Sequence, residues 1–328
     1  MNFSTQDIQG WASMYYGLTV SVKTLNGFDE LNFQLTDAVN NKYILKVAHD
    51  AHGLPFLDAQ VKIINHLAAS SLADKFQHYL LNREGNELTT IVVQGKNYYV
   101  RILSFMEGTF WVDLKNKSKS LYADLGVFMG EMDKVLQLFS HPAMHRHYTW
   151  DIQTALDANA NLTFIKNHER RRIAGYFLLQ FEMEVLPVLS SLRHAYVHND
   201  ANDYNVLVKG DKVVGLIDFG DMVYTPLINN LAVACTYAML NCEQPLQVAV
   251  DVVKGYHQVY PLTIQELDLL YYLIAGRLCI SVTQSARNAS TESDNVHHFI
   301  TETPAWNLLY QLIRINPLLA QDSFRKAG

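Results

Sequence analysis

The sequence predicts an α+β protein with two lobes, a small antiparallel-sheet lobe followed by a larger, mainly helical one. In the first hundred residues, short runs of alternating apolar and polar residues are separated by Asn- and Gly-containing turns, which indicates strands. Beyond about Gly108 the apolar residues recur at helical spacing, interrupted by one strand-rich island at 196–221. We therefore expect lobes at residues 1–107 and 108–328.

The first lobe is predicted to contain one helix among its strands. Apolar residues at helical spacing place that helix at 56–69. Polar turns at Asn26-Gly27 and at residues 94–97 are typical of hairpins. The predicted strands are 18–25, 31–35, 43–47, 91–93 and 98–103.

The second lobe is predicted to be helical on both sides of the island. Within the island, two short apolar strands flank a polar loop, and a second polar loop follows the second strand. The predicted helices are 118–138, 151–156, 170–192, 227–240, 245–259, 264–286 and 303–315.

Composition excludes several classes of protein. Hydrophobic residues make up 49% and charged residues 18% of the 328, which supplies large cores and is atypical of disorder. The formal charge of -6 comes with no basic block, so we expect no nucleic-acid partner. The three cysteines have no paired spacing. We find neither a signal peptide nor an apolar run of about 18 residues, and expect a cytoplasmic protein without membrane contact.

Two polar loops carry the chemistry of the island. The first has the pattern His-x-Asp-x-x-x-x-Asn, formed by His198, Asp200 and Asn205, and the second opens with Asp218 in Asp-Phe-Gly. Polar side chains at strand ends are placed to form a site. Either aspartate alone would as readily be a cap or a turn residue. The two patterns together favour a functional site.

This set of side chains is typical of phosphoryl transfer. A carboxylate such as Asp200 positions the attacking hydroxyl and accepts its proton. The oxygens of Asn205 and Asp218 are ligands that Mg²⁺ prefers. Lys46, on a predicted strand, can contact nucleotide phosphates, whereas without the island it would be interpreted as a solvated lysine. We expect His198 to brace its loop by hydrogen bonds.

These motifs resemble the aminoglycoside phosphotransferase and choline kinase superfamily, and within it the chain is most similar to the hydroxylysine kinases. That branch typically has an Asn-Asp-x-Asn loop, as at residues 199–202, and an Ile/Leu-Asp-Phe-Gly-Asp-Met segment, as at residues 217–222. The similarity covers nearly the whole chain. It includes residues 99–103, 141–142, 150–151 and 276–279.

The resemblance implies a bilobal protein-kinase-like fold, with a nucleotide-binding first lobe and a second lobe that holds the catalytic loop and the substrate pocket. By role, the residues carried over are Asp200 as catalytic base, Asn205 and Asp218 as Mg²⁺ ligands, Lys46 at the phosphates, and Phe105 and Met106 beside the nucleotide base. The turn Asn26-Gly27 would lie over the nucleotide, although it lacks a glycine-rich motif. Hydroxylysine kinases are associated with GTP and many relatives use ATP, so both stay open.

Three positions depart from the family pattern. Asn199 stands where glycine is usual, which is tolerable if its backbone avoids positive φ. The helix acid that often pairs with the strand lysine is not obvious, which leaves Asp58 or Gln60 as a structural partner for Lys46. Asn230 stands where relatives often have an acidic residue, so an expected structural charge is missing.

The expected acceptor is a small amine-bearing alcohol, because helical residues follow Asp-Phe-Gly too closely for the activation segment of a protein kinase. The candidate substrate residues are Asp203, Asp221 and Asp151 for the amine, Trp150 or Tyr204 for a cation–π contact, and Arg277 for a carboxylate. Arg277 is as readily a structural salt bridge. 5-Hydroxylysine is the first candidate, and choline, ethanolamine, homoserine and aminoglycosides are alternatives.

The sequence allows two other interpretations. A nucleotide-binding pseudokinase would keep the fold without phosphoryl transfer, although all four expected groups are present. The cluster of His141, His145 and His147 has no accompanying metal-ligand spacing, and we expect a loop of solvated histidines.

Overall fold

The computed structural model describes residues 3–27, 30–49, 53–291 and 302–328. The chain divides into two compact units, Met1–Glu107 and Gly108–Gly328. An antiparallel sheet dominates the first unit and helices dominate the second. The predicted α+β fold class is confirmed.

An antiparallel sheet is the centre of the first unit. Its strands are β1 (Val20–Leu25), β2 (Leu31–Asp37), β3 (Lys42–His49), β4 (Tyr79–Leu80), β5 (Thr89–Val93) and β6 (Lys96–Ser104). Their order is β1-β2-β3-β6-β4, and β5 also pairs with β6. At the β5–β6 turn, Gln94 and Gly95 have φ of 51° and 76°, and this left-handed pair matches the twist of a two-residue hairpin.

The prediction of a single helix in this unit was wrong. The helices are α1 (Thr5–Tyr16) and α2 (Leu54–Ala68). Helix α1 begins at a capping box, in which the Ser4 hydroxyl accepts from Asp7 N while the Asp7 carboxylate accepts from Ser4 N. Ile8 and Ala12 are fully buried in the same apolar cluster as Leu35 of the sheet. Packing against the sheet therefore stabilises α1.

The second unit joins seven helices to five short strands in the described ranges. The helices are α3 (Lys119–Leu136), α4 (His168–Glu184), α5 (Ile228–Met239), α6 (Pro245–Val259), α7 (Ile264–Thr291), α8 (Glu302–Leu312) and α9 (Pro317–Ala327). The strands are β7 (Thr109–Phe110), β8 (His194–Val197), β9 (Val206–Lys209), β10 (Lys212–Leu216) and β11 (Val223–Pro226). Strands β10, β9 and β7 form one sheet, and β11 pairs with β8.

Helices α3 and α6 approach each other at two glycines. A Cβ atom on Gly126 would lie 1.9 Å from the carbonyl oxygen of Val252, and one on Gly255 would lie 1.9 Å from that of Ala123. Only glycine permits such close backbone contact. The crossing fixes α3, whose buried Asp133 accepts a hydrogen bond from Asn230 of α5.

Two predicted helices differ from the observed ones, and α9 was not predicted. The helix predicted at 170–192 ends at Glu184 and is followed by the 3-10 segment Leu186–Ser191, because Pro187 has no N–H to continue an α-helix. The helix predicted at 151–156 is part of the longer 3-10 stretch Ile152–Phe164. Within the described ranges, every helix is too short or too polar to span a bilayer.

Candidate active site

His198 braces the loop that joins β8 to β9. Its side chain is fully buried, and its Nδ1 accepts a hydrogen bond from Asp200 N at 3.2 Å. Because Nδ1 accepts, Nε2 carries the proton and donates to the Ile217 carbonyl at 3.2 Å. The ring of Phe219 packs edge-on at 4.6 Å between centroids. His198 thus ties the first polar loop to the second.

Ile217 places Asp218 beside this loop. The Ile217 N–H donates to the carbonyl oxygen of Asn205 at 3.0 Å, while its own carbonyl accepts from His198. Asp218 follows with φ of 66°, a conformation that costs a non-glycine residue on the order of 1 kcal/mol or more and that the surrounding structure must hold. The two motifs of the sequence are therefore brought together.

The Asp200 carboxylate accepts hydrogen bonds on both oxygens. Oδ2 accepts from Asn202 Nδ2 and from Asn205 Nδ2, each at 2.8 Å, and Oδ1 accepts from Arg277 Nη2 at 3.1 Å. Burial raises the pKa of Asp200 to about 8, the charges of Asp221 and Asp218 act in the same direction, and the Arg277 guanidinium opposes them. The carboxylate is held in place and surrounded by like charges.

Asn205 uses its amide nitrogen for Asp200. Nδ2 donates to both the carbonyl oxygen and the carboxylate of Asp200, at 2.9 and 2.8 Å. Its amide oxygen is therefore left to face a cation, and an amide with one carboxylate suits Mg²⁺. In the described part of the chain, no three His, Cys, Asp or Glu side chains form a metal-binding group. A site completed by nucleotide phosphates does not require such a group.

The Arg277 guanidinium binds other groups of the protein. It is 1% exposed, and Nη1 donates to the Trp150 carbonyl at 2.5 Å while Nη2 pairs with Asp200. Its guanidinium carbon lies 5.2 Å from the Trp150 ring centroid and 5.7 Å from that of Tyr237. These contacts favour the salt-bridge interpretation of Arg277 over carboxylate binding. They also give the Trp150 ring a cation from the protein itself.

The prediction that Asp151 faces the substrate amine was wrong. Its side chain is fully buried and caps the 3-10 helix that follows it, where Oδ1 accepts from Gln153 N at 3.1 Å. Oδ1 also accepts from the Thr225 hydroxyl at 2.7 Å, and Oδ2 accepts from Gln153 Nε2. A carboxylate satisfied in this way positions the chain and has no exposed surface for a ligand.

Asp221 lies near Asp200, and its negative charge acts on that carboxylate. It accepts from the Tyr148 hydroxyl at 2.6 Å. Burial raises its pKa, and the charge of Asp218 adds to this effect, while the hydroxyl of Tyr148 and the charges of Arg277 and Arg146 lower it. The charges of Asp218 and Asp221 thus act on Asp200, and a cation bound nearby would relieve their repulsion.

Asp203 and Tyr204 follow Asp200 on the same loop. Asp203 is 9% exposed, and burial raises its pKa to about 6. Tyr204 is 41% exposed, with its backbone N–H held by Asn202 Oδ1 at 2.8 Å. Their proposed roles in binding an amine stay a prediction.

Asn199 has positive φ, 65°, so the condition under which it was expected to replace glycine is not met. Asn is among the non-glycine residues that most readily adopt this conformation. Asn199 N donates to Asn230 Oδ1 at 3.1 Å, and Asn230 Nδ2 donates to Asp133 Oδ1 at 2.6 Å. Asp133 also accepts a hydrogen bond from the Tyr256 hydroxyl at 2.8 Å. It therefore lies beside Asn230, the position at which relatives often have an acidic residue.

In the first unit, the carboxylate beside Lys46 is Glu30. Lys46 Nζ lies 3.6 Å from Glu30 Oε2. Arg101 Nη2 lies 2.9 and 2.7 Å from the two Glu30 oxygens and donates to Gln60 Oε1 at 2.9 Å. Asp58 forms an ion pair with Lys62 at 2.7 Å. The structure thus gives Lys46 an acid that precedes β2, which the expectation of Asp58 or Gln60 on α2 did not include.

The turn that leads to Glu30 needs its glycine. A Cβ atom on Gly27 would lie 2.1 Å from the carbonyl oxygen of Glu30 and 2.5 Å from Asn32 Nδ2. Phe28 and Asp29 of this predicted turn lie outside the described residues, whereas Asn26 is described. The contacts restrict position 27 to glycine, and the location of this turn over a nucleotide stays a prediction.

Phe105, Met106 and His141 complete the set of residues considered from the sequence. Lys42 Nζ lies 4.9 Å from the Phe105 ring centroid, and Met106 follows in the irregular segment after β6. His141 is buried and its Nδ1 accepts from Ala143 N, so the expectation of solvated histidines was wrong for that residue.

Sequence reasoning missed Glu30, Arg101, Tyr148 and Asp133. Arg101 had one available signal, since an arginine in an apolar strand that pairs with the Lys46 strand needs a buried acid. Asp133 had a similar signal as an acid at an apolar position of a helix. Tyr148 and Glu30 had none, because their contacts depend on tertiary structure.

The sequence model of the phosphotransferase enzyme family matches residues 21–267. The chain is 26% identical to a hydroxylysine kinase of Bos taurus over 340 aligned residues, which cover 95% of this chain and 89% of that protein. It is also 26% identical to a hydroxylysine kinase of Danio rerio, with 91% and 88% covered. The similarity to these relatives spans both units.

A solved structure has the same fold. An amicoumacin kinase in complex with AMP-PNP, Ca²⁺ and its ligand superimposes with a TM-score of 0.74 at 15% sequence identity, covering 96% of this chain and 97% of that one. At this identity the match concerns the fold alone.

Proposed function

The chain belongs to the phosphotransferase enzyme family, and from that premise we propose that it transfers the γ-phosphoryl group of GTP or ATP to the hydroxyl of a hydroxy amino acid. 5-Hydroxylysine is the first candidate. The curated relatives support a small-molecule kinase that acts on an alcohol group, and the identity of the acceptor goes beyond that.

One observation carries the proposal, namely the way in which Asp200 is held. Asn202 and Asn205 fix Oδ2, whereas Oδ1 accepts only from Arg277 among the described residues. Oδ1 therefore keeps a lone pair for an acceptor hydroxyl. As the acceptor oxygen bonds to the γ-phosphorus, its proton passes to Asp200, and the broken phosphoanhydride bond leaves its electron pair on the nucleoside diphosphate.

Asn205 and Asp218 would hold Mg²⁺. The Asn205 amide oxygen is the part of that side chain not used by Asp200, and Asp218 follows the residue that Asn205 binds through its backbone. When bound, the ion would neutralise charge on the β- and γ-phosphate oxygens. The protein would hold these two oxygens and Asp200 together on the two loops that His198 joins.

Lys46 would contact the α- and β-phosphates. Its ammonium and the buried guanidinium of Arg101 share the carboxylate of Glu30, which orients both cations. Phe105 and Met106 are proposed to border the nucleotide base, and the turn at Asn26-Gly27 to cover the phosphates. A compact lysine ammonium suits phosphate oxygens as a point charge.

The acceptor amine would meet the carboxylates near Asp200. Asp221 lies close enough for its charge to raise the pKa of Asp200, and Asp203 follows three residues later on the same loop. Exposed Tyr204 could add a cation–π contact. Asp151 has no part in this proposal because it is an internal cap.

A kinase assay with purified protein tests the proposal. Each of 5-hydroxy-L-lysine, L-homoserine, ethanolamine, choline and an aminoglycoside is supplied with ATP or GTP and Mg²⁺, and product phosphate is followed by ³¹P NMR. We expect a phosphate ester of 5-hydroxylysine, lost when EDTA is added. Nucleotide binding without a phosphorylated product from any acceptor would contradict the proposal and favour the pseudokinase alternative.

A further inference from the structure

An arginine outside both motifs binds the main chain of the second polar loop. Arg146 Nη2 donates to the carbonyl oxygens of Gly220 and Met222, each at 3.0 Å, and its Nε donates to that of Met222 at 3.2 Å. These two carbonyls lie on either side of Asp221, in the turn that follows Asp218. A guanidinium carries its donors in one fixed plane, so a single arginine can hold two carbonyl groups of a turn in a set geometry.

The turn that Arg146 binds lies against the carboxylate of Asp218. A Cβ atom placed on Gly220 would lie 3.5 Å from Asp218 Oδ1, which puts this oxygen within van der Waals distance of the glycine. Asp218 has φ of 66°, and a residue other than glycine keeps such a conformation only where surrounding contacts hold it. The hydrogen bonds from Arg146 to the turn supply contacts of this kind.

Tyr148 supports Arg146 in this position. The guanidinium carbon of Arg146 lies 4.1 Å from the centroid of the Tyr148 ring, and the Tyr148 hydroxyl donates to Asp221 Oδ1 at 2.6 Å. Stacking on an aromatic ring stabilises a guanidinium. The two side chains thus reach the turn from one segment, Arg146 through main-chain oxygens and Tyr148 through a carboxylate.

The same segment also contacts the first polar loop. The Trp150 carbonyl accepts from Arg277 Nη1 at 2.5 Å and from Asn199 Nδ2 at 3.4 Å. Arg277 Nη2 in turn pairs with Asp200 at 3.1 Å. Residues 146–150 therefore connect the loop of the proposed base to the turn that follows the proposed metal ligand.

We propose that Arg146 is a positioning residue, which holds Asp218 in the orientation that binds Mg²⁺. It acts through the carbonyls of Gly220 and Met222, and not by contact with the metal or the substrate. This inference rests on the proposed function, because it requires Asp218 to be a metal ligand, and it deepens that function by naming what orients the ligand. The segment in which solvated histidines were expected thus gains a role in the site.

Charge and position predict opposite effects when Arg146 is removed. Loss of a cation near Asp218 and Asp221 would by itself make these carboxylates bind a metal ion more tightly. Loss of the two carbonyl contacts would release the turn, and Asp218 would then bind the ion less tightly. A role confined to folding would lower stability and leave metal binding unaltered.

Isothermal titration calorimetry with AMP-PNP and with GMP-PNP measures the contribution of the metal without turnover. Each analogue is titrated in excess Mg²⁺ and in EDTA, and the ratio of the two affinities reports what the protein gains from the metal on the nucleotide. We expect Mg²⁺ to tighten binding to the wild type and D218N to abolish this gain. R146M should lower the ratio roughly 10-fold, with the affinity in EDTA unchanged.

R171M is the matched control. Arg171 donates through Nε and Nη2 to the Ile165 carbonyl, at 3.0 and 2.6 Å, and this carbonyl lies outside both polar loops. R171M should therefore keep the wild-type ratio. R146K, which keeps the charge but not the planar fork, should give an intermediate ratio, and it carries the test if R146M does not fold. Thermal melting in EDTA checks the fold of each variant.

An unchanged or increased ratio in R146M would overturn the role of Arg146, and so would an equal decrease in R171M. The proposed function can fail separately. If D218N kept the wild-type ratio, Asp218 would not be the metal ligand and both proposals would fall. If the ratios followed the prediction but no acceptor were phosphorylated, the role of Arg146 would stand and the proposed transfer would fall.

Discussion

Each unit buries one arginine against a carboxylate, but the two pairs differ in what surrounds them. Arg101 and Arg277 are each 1% exposed. In the first unit Arg101 and Lys46 share Glu30, so cations gather around one acid. In the second unit, Asp218 and Asp221 lie near the pair formed by Asp200 and Arg277, so several carboxylates surround one cation.

This difference suits opposite ligands. Two cations that share one acid favour an anion such as a nucleotide phosphate, whereas neighbouring carboxylates favour a metal ion or an ammonium group. A buried Arg–carboxylate pair therefore lies beside the lysine proposed to bind phosphate in one unit, and includes the proposed catalytic base in the other. Variants that break one pair at a time test this distinction.

The largest effect is expected from D200N. Removing the base should lower kcat by about 10²- to 10⁴-fold with little change in the KM for nucleotide. E30Q, its counterpart in the first unit, should mainly raise the KM for nucleotide. Steady-state kinetics distinguishes the two, with D74N at an exposed acid as the control. A D200N enzyme with wild-type kcat would remove Asp200 from its assigned role.

Breaking the arginine pairs should destabilise the protein. R277M leaves Asp200 buried without its cation, for a loss of about 3–5 kcal/mol in the free energy of unfolding. R101M should cost less, because Glu30 keeps Lys46 at 3.6 Å. Urea denaturation followed by circular dichroism measures both.

A double variant separates charge from packing in this comparison. R277M/D200N should be more stable than R277M, since the uncompensated carboxylate is gone. The charge interpretation of these pairs would be wrong if R101M lowered the free energy of unfolding more than R277M does. It would also be wrong if R277M/D200N were no more stable than R277M.

K46M should raise the KM for nucleotide by roughly 10- to 100-fold, as expected when one charged contact to phosphate is lost. K23M, at an exposed lysine of β1 in the same sheet, provides the matched control and should leave KM unchanged. Fluorescence titration with a labelled nucleotide gives the affinity directly. Equal affinities of K46M and wild type would exclude phosphate binding by Lys46.

A smaller effect concerns Asp133, which is buried against Asn230 and Tyr256 with Tyr260 nearby. Burial raises its pKa to about 7 from 3.8, against the hydrogen bonds of Tyr256 and Asn230. The folded state thus binds this proton more tightly than the unfolded state. The contribution of Asp133 to stability falls as pH rises from about 4 to about 7.

D133N lacks this titration, and its stability relative to wild type should increase by a few kcal/mol between pH 4 and pH 8. Urea denaturation across that range measures the difference. A difference that is constant with pH would show that Asp133 is ionised throughout, held by its two donors.

Sequence reasoning predicted most of the fold because the helical and alternating patterns were strong. It missed α1, although Ser4 and Asp7 form a capping box, because Gly10 and several polar residues weaken the periodicity. It also extended a helix past Val185, where the proline that follows prevents continuation. These errors come from local features that compete with the apolar pattern.

The site was predictable where its residues lie close in sequence. Asp200, Asn205 and Asp218 are joined through neighbouring backbone, so their motifs indicated the arrangement. Glu30 and Asp151 were not predictable in this way. Glu30 lies beside Lys46 and Asp151 is a buried helix cap, and both roles depend on which strands and helices pack together.

A crystal structure with AMP-PNP, Mg²⁺ and 5-hydroxy-L-lysine tests the central claim most directly. The account predicts Mg²⁺ at about 2.0–2.1 Å from Asn205 Oδ1 and from an oxygen of Asp218, as its coordination requires. The acceptor hydroxyl should lie within hydrogen-bond distance, about 2.6–3.2 Å, of Asp200. A metal held by other side chains, or a hydroxyl directed away from Asp200, would contradict it.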